Sequence, residues 1–383
     1  MRSEKLVYLD NAATGFPKPP SVLKEVARCL SDYCGNAGRS SHALALRAAE
    51  KIYECREEAA ALLGCPEPEN VIFTMNTTYA INMLVKGFLK RGDHVLISDM
   101  EHNSVLRPIY RLADEGLIEY DVFSTETLRH GGTRGAFLEG IAAQIRPNTR
   151  LLFCTHASNI CSLTLPLREI GALCRRHGIF FAVDAAQSAG HTEIHMTELG
   201  IDALCAPSHK GLCGIQGAGI LALAEKQGLA TLVEGGNGMY SLEGGMPWEL
   251  PERFEAGTLP TPALAGLCEG IRYVRKVGCD TIATHERSLF CELRDRLEDL
   301  HGVRILLPEH EGAILLFTVE GKSSERVAGE LAAHSICVRG GYHCAALGHR
   351  ALGTTEDGAV RVSFGHGNTR SDLDALWRAL KKI

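Results

Sequence analysis

Ile179-Phe-Phe-Ala-Val-Asp-Ala-Ala-Gln187 and, downstream, Ala203-Leu-Cys-Ala-Pro-Ser-His-Lys210 are the two stretches whose reading decides the fold. Each begins as a short apolar run without polar alternation, the pattern of a strand buried on both faces. Each then breaks into polar and ionisable residues: Asp184 and Gln187 in the first, Ser208, His209 and Lys210 in the second. The figure repeats upstream. A predicted strand over 71–74 is followed by Asn76, Thr77 and Thr78, one over 94–98 by Glu101, His102 and Asn103, and one over 150–155 by Ser158 and Asn159. Helical patterns over 79–90, 104–114 and 167–177 separate them. Strands alternating with helices predict an α/β fold with a mainly parallel sheet covered by helices.

Beyond about residue 260 the texture changes. Long helical patterns over 263–277 and 281–300 lead into a predicted strand over 313–319, which reads as a second, smaller α+β unit. A strand over 7–9 could join either unit. With 383 residues, 45% hydrophobic and 22% charged, the chain has room for two or three domains and is neither a disulfide-stapled miniprotein nor a disordered chain. The net charge is −6, from 46 acidic and 40 basic side chains with no basic cluster, which disfavours a nucleic-acid partner. The longest apolar runs are far short of the roughly 20 residues of a membrane span, and the first thirty residues hold no signal-peptide core. The expectation is a cytoplasmic protein without membrane partners. Its 14 cysteines contain no C-x-x-C pair, so reduced and mostly buried thiols are expected, and the question is which of them does chemistry.

In an open α/β sheet, ligands sit at the carboxyl ends of the strands. Thr77 and Thr78 at a helix start offer two hydroxyls and free N–H groups, either a phosphate cup or an ordinary N-cap. A single His or Asp at a strand end is usually structural, but here five strand ends converge on one edge of the sheet. Pyridoxal phosphate fits the combined set. It needs a lysine for its Schiff base, for which Lys210 is the candidate, and an acidic partner for its ring nitrogen, for which Asp184 is the candidate.

At this point the residues carry a resemblance. Tyr8-Leu-Asp-Asn-Ala-Ala13, Asn36-Ala-Gly-Arg-Ser-Ser-His42, Asn76-Thr-Thr-Tyr-Ala-Ile-Asn82, Glu101-His-Asn103 and Ser158-Asn-Ile160 occur in order, followed by Val183-Asp-Ala-Ala-Gln187, Ser208-His-Lys210, Glu255-Ala-Gly-Thr258, Arg339-Gly-Gly-Tyr-His-Cys344 and Arg361-Val-Ser-Phe364. Together they resemble the cysteine desulfurase and selenocysteine lyase family of the class V aminotransferase-like, fold-type I pyridoxal phosphate enzymes. The resemblance runs over essentially the whole chain. It implies a large domain over 15–258 with a mainly parallel seven-stranded sheet, and a small domain from 1–14 and 259–383 that carries the catalytic cysteine loop.

The resemblance further implies a role for each matching residue. Lys210 would carry the cofactor, Asp184 would pair with the ring nitrogen, and Gln187 and Asn159 would lie near the ring hydroxyl. His102 would stack on the ring and move protons. Thr77, Thr78, Ser208 and His209 would hold the phosphate, with Thr258 reaching in from a second subunit of a homodimer. Arg361 would clamp the substrate carboxylate with Arg339, Asn159 and Ala13 close by. Cys344 would be the nucleophile: its thiolate attacks the sulfur of L-cysteine, leaving a persulfide on Cys344 and releasing alanine, and Arg339 and His343 are its candidate electropositive neighbours. The compact loop from Arg339 to Cys344 resembles the short-loop group, whose persulfide passes to an acceptor protein or a small thiol. L-selenocysteine remains open as the substrate.

Two positions depart from the family pattern. Pro207 stands where many relatives have a hydroxyl residue, and Ile215 stands where proline is common. Other readings fit less well. Gly214, Gly217 and Gly219 do not open a helix after a first strand, as a dinucleotide fingerprint requires. A zinc site from Cys337, His343, Cys344 and His349 matches no common spacing. A non-enzymatic sulfur carrier gives no reason for both Lys210 and Asp184, and an aminotransferase or lyase for another amino acid would leave Cys344 dispensable.

Overall fold

Short runs of β-branched, leucine and aromatic residues, buried on both faces, build the centre of the molecule. In the computed structural model, which describes residues 6–38, 41–225 and 228–383, the strands are β1 (Val7–Tyr8), β2 (Val71–Thr74), β3 (His94–Ser98), β4 (Glu119–Phe123), β5 (Thr149–Thr155) and β6 (Phe180–Asp184). They continue with β7 (Ala203–Pro207), β8 (Gly219–Leu223), β9 (Val303–Leu306), β10 (Ile314–Val319), β11 (Ile336–Cys337) and β12 (Val360–Ser363). Arg39 and Ser40 of the 36–42 stretch, and residues 1–5, lie outside the described residues.

Seven strands form one sheet in the order β2-β8-β7-β6-β5-β3-β4. β3 to β7 pair in parallel, while β8 runs antiparallel to both of its neighbours. Alternate side chains of each strand enter opposite cores. Leu152, Cys154, Phe181 and Val183 face the helices Ala43–Leu63, Leu167–His177 and Thr261–Val277, whereas Leu151, Phe153 and Ala182 face Thr77–Phe88 and Asn103–Asp114. Phe153 and Phe181 are fully buried, each stabilising the fold by about 2 kcal/mol.

Two strands of this sheet escape the sequence pattern. β4 is a half-exposed edge strand with Glu, Tyr and Asp in it, so it does not read as a buried run. β8 follows a glycine-rich turn directly, with no helix before it, and so lies outside the strand–helix alternation. Helix starts lie slightly earlier than the apolar pattern suggests, at Thr77 and Asn103, because the capping residues Asn76 and His102 accept from Tyr79 N and Ser104 N.

The small unit packs β12-β10-β9 as an antiparallel sheet, with β1 paired in parallel to β11. Its core gathers Leu289, Phe290, Leu315, Phe317, Val362 and Leu376. The N-terminal strand thus joins the small unit. The helix Thr261–Val277, by contrast, buries Leu264, Leu267 and Ile271 in the large core. The helix Cys279–Glu298 lends Leu289, Phe290, Leu293 and Leu297 to the core of the small unit. Among the described residues no helix is long and apolar enough to cross a membrane.

Candidate active site

Parallel strands end on one edge of the sheet, and five of those ends meet there. Thr77, Thr78, His102, Asn159, Asp184, Gln187, His209 and Lys210 line a cavity of about 230 Å³, to which the N-terminal segment adds Ala12 and Ala13 and the small unit adds Arg339, His343 and Arg361. A larger cleft of about 490 Å³ opens on the small unit around Arg304, Lys322 and Asp357, away from the strand ends of the seven-stranded sheet.

Asp184 ends β6 and is 3% exposed, with Oδ1 accepting from Ala186 N at 2.9 Å. Burial raises its pKa, against the Ala186 N–H and the Lys210 charge. Burial also lowers Lys210, to about 8, against the pull of Asp184 and helped by Arg361 and Arg339. The lysine therefore holds more free amine near neutral pH than an exposed lysine, as a nucleophile requires. His102 is lowered to about 4, by burial first and then by Lys210. Ser104 N donates to its Nδ1 at 3.1 Å, so the neutral ring carries its proton on Nε2. Ser104 Oγ lies 2.7 Å from the same Nδ1 and 2.9 Å from Thr78 Oγ1, linking the ring to the threonine pair. His209 is likewise lowered to about 4 by burial, Lys210 and Lys18, and its carbonyl accepts from Lys18 Nζ at 2.7 Å.

Arg361 is 1% exposed, its Nη2 pairs with Asp10 Oδ1 at 2.7 Å, and its Nη1 donates to the Asn159 carbonyl at 2.9 Å. Asn159 Nδ2 donates to the His343 carbonyl at 2.7 Å, and Gln187 Nε2 donates to the Ala12 carbonyl at 3.0 Å. Among the described residues, three buried atoms of the cavity lining have no hydrogen-bond partner: Thr77 Oγ1, Asn159 Oδ1 and Arg361 Nε. Each such atom costs about 1–3 kcal/mol when left unpaired, so the cavity is built for a polar ligand. The donor set fits pyridoxal phosphate: hydroxyls at a helix N-terminus for phosphate, a buried carboxylate for the ring nitrogen, an amine with a lowered pKa, and a neutral imidazole.

Several expected residues fall elsewhere. Ser208 is fully buried and does not line the cavity; a Cβ on Gly214 would come within 2.2 Å of its Oγ, so the hydroxyl faces Gly214, and Pro207 borders the cavity instead. Thr258 is exposed outside the cavity of its own chain, with Asn36 Nδ2 3.4 Å from its Oγ1. Cys344 is exposed and directly follows His343 of the lining, and its carbonyl accepts from Asn103 N at 2.7 Å. His343 is not the electropositive neighbour expected of it: burial, together with Arg361, lowers it to about 3, so the ring is neutral. The alternative zinc set is not assembled: among the described residues no three His, Cys, Asp or Glu side chains come together as a metal site. The glycine-rich turn serves packing, since a Cβ on Gly219 would meet Asn76 backbone carbon at 2.6 Å.

Some contributors carried no signal of their own. Asp10 reaches Arg361 across the whole chain, which no local pattern reveals. Ser104, two residues after His102, follows the helix-cap spacing and was within reach of the sequence. Glu101 ties the end of β3 to β5, its Oε1 accepting from Ser98 Oγ and, at 2.8 Å, from Thr155 N, and burial pushes its carboxyl up to about 8.

Fold and cavity together define a class of protein. The family model for aminotransferase class V matches residues 7–376, and the chain belongs to that pyridoxal-phosphate-dependent family. Its relatives narrow the comparison to cysteine desulfurases. A probable cysteine desulfurase of Methanothermobacter thermautotrophicus is 33% identical over 386 residues, covering 98% of this chain and 94% of the relative. One of Halalkalibacterium halodurans is also 33% identical over 386 residues, covering 98% and 93%. The apo cysteine desulfurase from Thermococcus onnurineus superposes with a TM-score of 0.89 at 30% identity, over 98% of this chain and 94% of that one. The cysteine desulfurase CsdA from Escherichia coli gives 0.87 at 27% identity, again over 98% and 94%.

Proposed function

We propose that this protein is a cysteine desulfurase that turns L-cysteine into L-alanine and takes the sulfur onto Cys344 as a persulfide. The observation that carries this reading is one cavity joining Lys210 and Asp184 to an arginine with a free Nε, with Cys344 next in chain to its lining. Pyridoxal phosphate, held by Thr77, Thr78, His209, Asp184 and Lys210, would supply the electron sink for the pair left when the substrate Cα–H bond breaks.

The chain's own residues do the rest. Arg361 Nε and Nη2 present a fork for the substrate carboxylate, for which Asp10 must yield part of its hold on Nη2. Asn159 Oδ1 remains free to accept from the substrate side. Lys210 Nζ, with its lowered pKa, takes the Cα proton and returns one to Cα after the sulfur has left, while the proton given up by the Cys344 thiol balances the one gained at Cβ. Cys344 Sγ attacks the substrate sulfur as a thiolate, the Cβ–S bond breaks, its electron pair stays with Cβ, and protonation there gives the alanine methyl group. Arg339, at the start of the loop, supplies positive charge for that thiolate.

The turn from Arg339 to Cys344 is short, which supports assignment to the short-loop group, with an acceptor protein or small thiol removing the sulfur. The position of Thr258 outside its own cavity supports a homodimer in which it serves the neighbouring site, and the exposed Leu30, Leu242 and Trp248 are apolar surface that a second copy could cover. L-selenocysteine presents the same carboxylate and a Cβ–Se bond in place of Cβ–S, so both substrates belong in the test. The cofactor-loaded protein, given L-cysteine and a reducing thiol, should release alanine and sulfide in equal amounts. Alanine without sulfide, or no turnover of either substrate, overturns the assignment.

A further inference from the structure

A chain of hydrogen bonds that the proposed chemistry does not use holds the loop of Cys344. His343 Nε2 lies 3.0 Å from the Arg339 carbonyl oxygen, His343 Nδ1 lies 3.2 Å from His349 Nε2, and His349 Nδ1 lies 2.7 Å from Thr354 Oγ1. A carbonyl only accepts, so the proton of the neutral His343 ring sits on Nε2 and its Nδ1 offers a lone pair. His349 must then donate from Nε2 and accept at Nδ1 from the Thr354 hydroxyl. Every ring nitrogen is matched with both rings neutral. The two residues are 3% and 1% exposed, and their rings are nearly parallel, 17° apart, with centroids 5.4 Å apart.

The backbone shows why such a brace is needed. His343 and Cys344 both have left-handed φ, 51° and 57°. That conformation costs a residue other than glycine about 1–2 kcal/mol, so two in a row persist only when their surroundings hold them. Asn159 and Asn103 N hold the two carbonyls, each at 2.7 Å. The His343 ring is the remaining handle, and His349 grips it.

We infer that His349 is a positioning residue for the Cys344 nucleophile: its Nε2–H fixes His343 in one neutral tautomer and braces the left-handed His343–Cys344 turn. Nothing in the proposed chemistry assigns this residue, and the inference rests on Cys344 being the reactive thiol. Arg339, Arg361 and His349 are the groups that face His343, and the two arginines also oppose its protonation. While Nε2–H is held by the Arg339 carbonyl and Nδ1 by His349, His343 has no lone pair left to protonate.

The test is alkylation of Cys344 by iodoacetamide in the cofactor-loaded protein, followed on the Cys344 peptide by mass spectrometry across pH. It requires no turnover of L-cysteine, so it can fail or succeed independently of the desulfurase assignment. In wild type the rate should follow one ionisation, that of the thiol. In His349→Phe, His343 Nδ1 loses its donor and the left-handed turn its brace, so the pH-independent alkylation rate should shift severalfold, with no second ionisation because burial and the arginines still oppose protonation of His343. His349→Gln keeps an N–H donor and should restore the wild-type profile. Thr354→Val, which lets His349 shift its proton to Nδ1 and lose its grip, should show the same shift as His349→Phe, and this variant serves if His349→Phe does not fold. A wild-type profile in both His349→Phe and Thr354→Val, or a Gln variant that behaves like Phe, overturns the inference.

Discussion

Glu255→Gln changes one atom type in a place with almost no water. Glu255 and Arg56 are 7% and 5% exposed. The carboxylate accepts from Arg56 Nη1 at 2.8 Å, from Arg56 Nη2 through its other oxygen, and from Phe73 N at 2.6 Å, while the guanidinium lies 4.5 Å over the Phe73 ring. Glutamine keeps one acceptor, enough for Phe73 N and Nη1. Its amide group, however, sets a donor against the Nη2 donor and leaves the arginine charge without a counter-ion. Breaking one side of a buried pair costs about 3–5 kcal/mol, because the other charge is left buried and unpaired. Equilibrium urea unfolding should show a loss of that size with an unchanged dependence on denaturant. The double variant Glu255→Met with Arg56→Met removes both charges but leaves Phe73 N and the Val71 carbonyl without their side-chain partners, so it should recover part of the loss and be more stable than the single variant. A Glu255→Gln protein within about 1 kcal/mol of wild type, or a double variant no better than the single one, refutes this account of how the 255–258 stretch is anchored to β2.

Lys210→Met should stabilise the cofactor-free protein by about 3 kcal/mol at neutral pH, since a lysine lowered to about 8 resists protonation in the fold but not in the unfolded chain. The sign fixes the window: the gain is full below about pH 8, declines as pH rises toward the unfolded value near 10, and is then gone, so denaturation at several pH values tests it. Ser208→Ala should leave pyridoxal phosphate affinity within about twofold of wild type, because the hydroxyl faces Gly214, whereas Thr77→Val should weaken it by about tenfold or more; cofactor titration by absorbance distinguishes the two. Equal losses in both variants would return Ser208 to the phosphate site.

Much of the site was legible because parallel strands deliver their following residues to one edge, so reading what comes after each apolar run collected Thr77, His102, Asn159, Asp184 and Lys210 in advance. The same rule misplaced Ser208: within a strand-to-loop turn, which side a residue faces depends on the path of the backbone past Gly214, and residue type says nothing of that. β4 and β8 were missed because an exposed edge strand lacks a buried pattern and an antiparallel insertion lacks a preceding helix. His343 illustrates the other limit. Proximity to a cysteine in sequence suggests a charged neighbour, but burial and the Arg361 charge make the ring neutral, and neither is visible before the chain is folded.

The central claim is that sulfur leaves L-cysteine by way of Cys344. Its most direct test is a single turnover of the cofactor-loaded protein with L-cysteine and no reducing thiol, followed by mass spectrometry of the Cys344 peptide beside a measurement of alanine. The account predicts that the peptide gains the mass of one sulfur atom for each alanine formed, and that Cys344→Ala forms almost no alanine. Alanine released by wild type with no sulfur on Cys344, or undiminished turnover by Cys344→Ala, would contradict it.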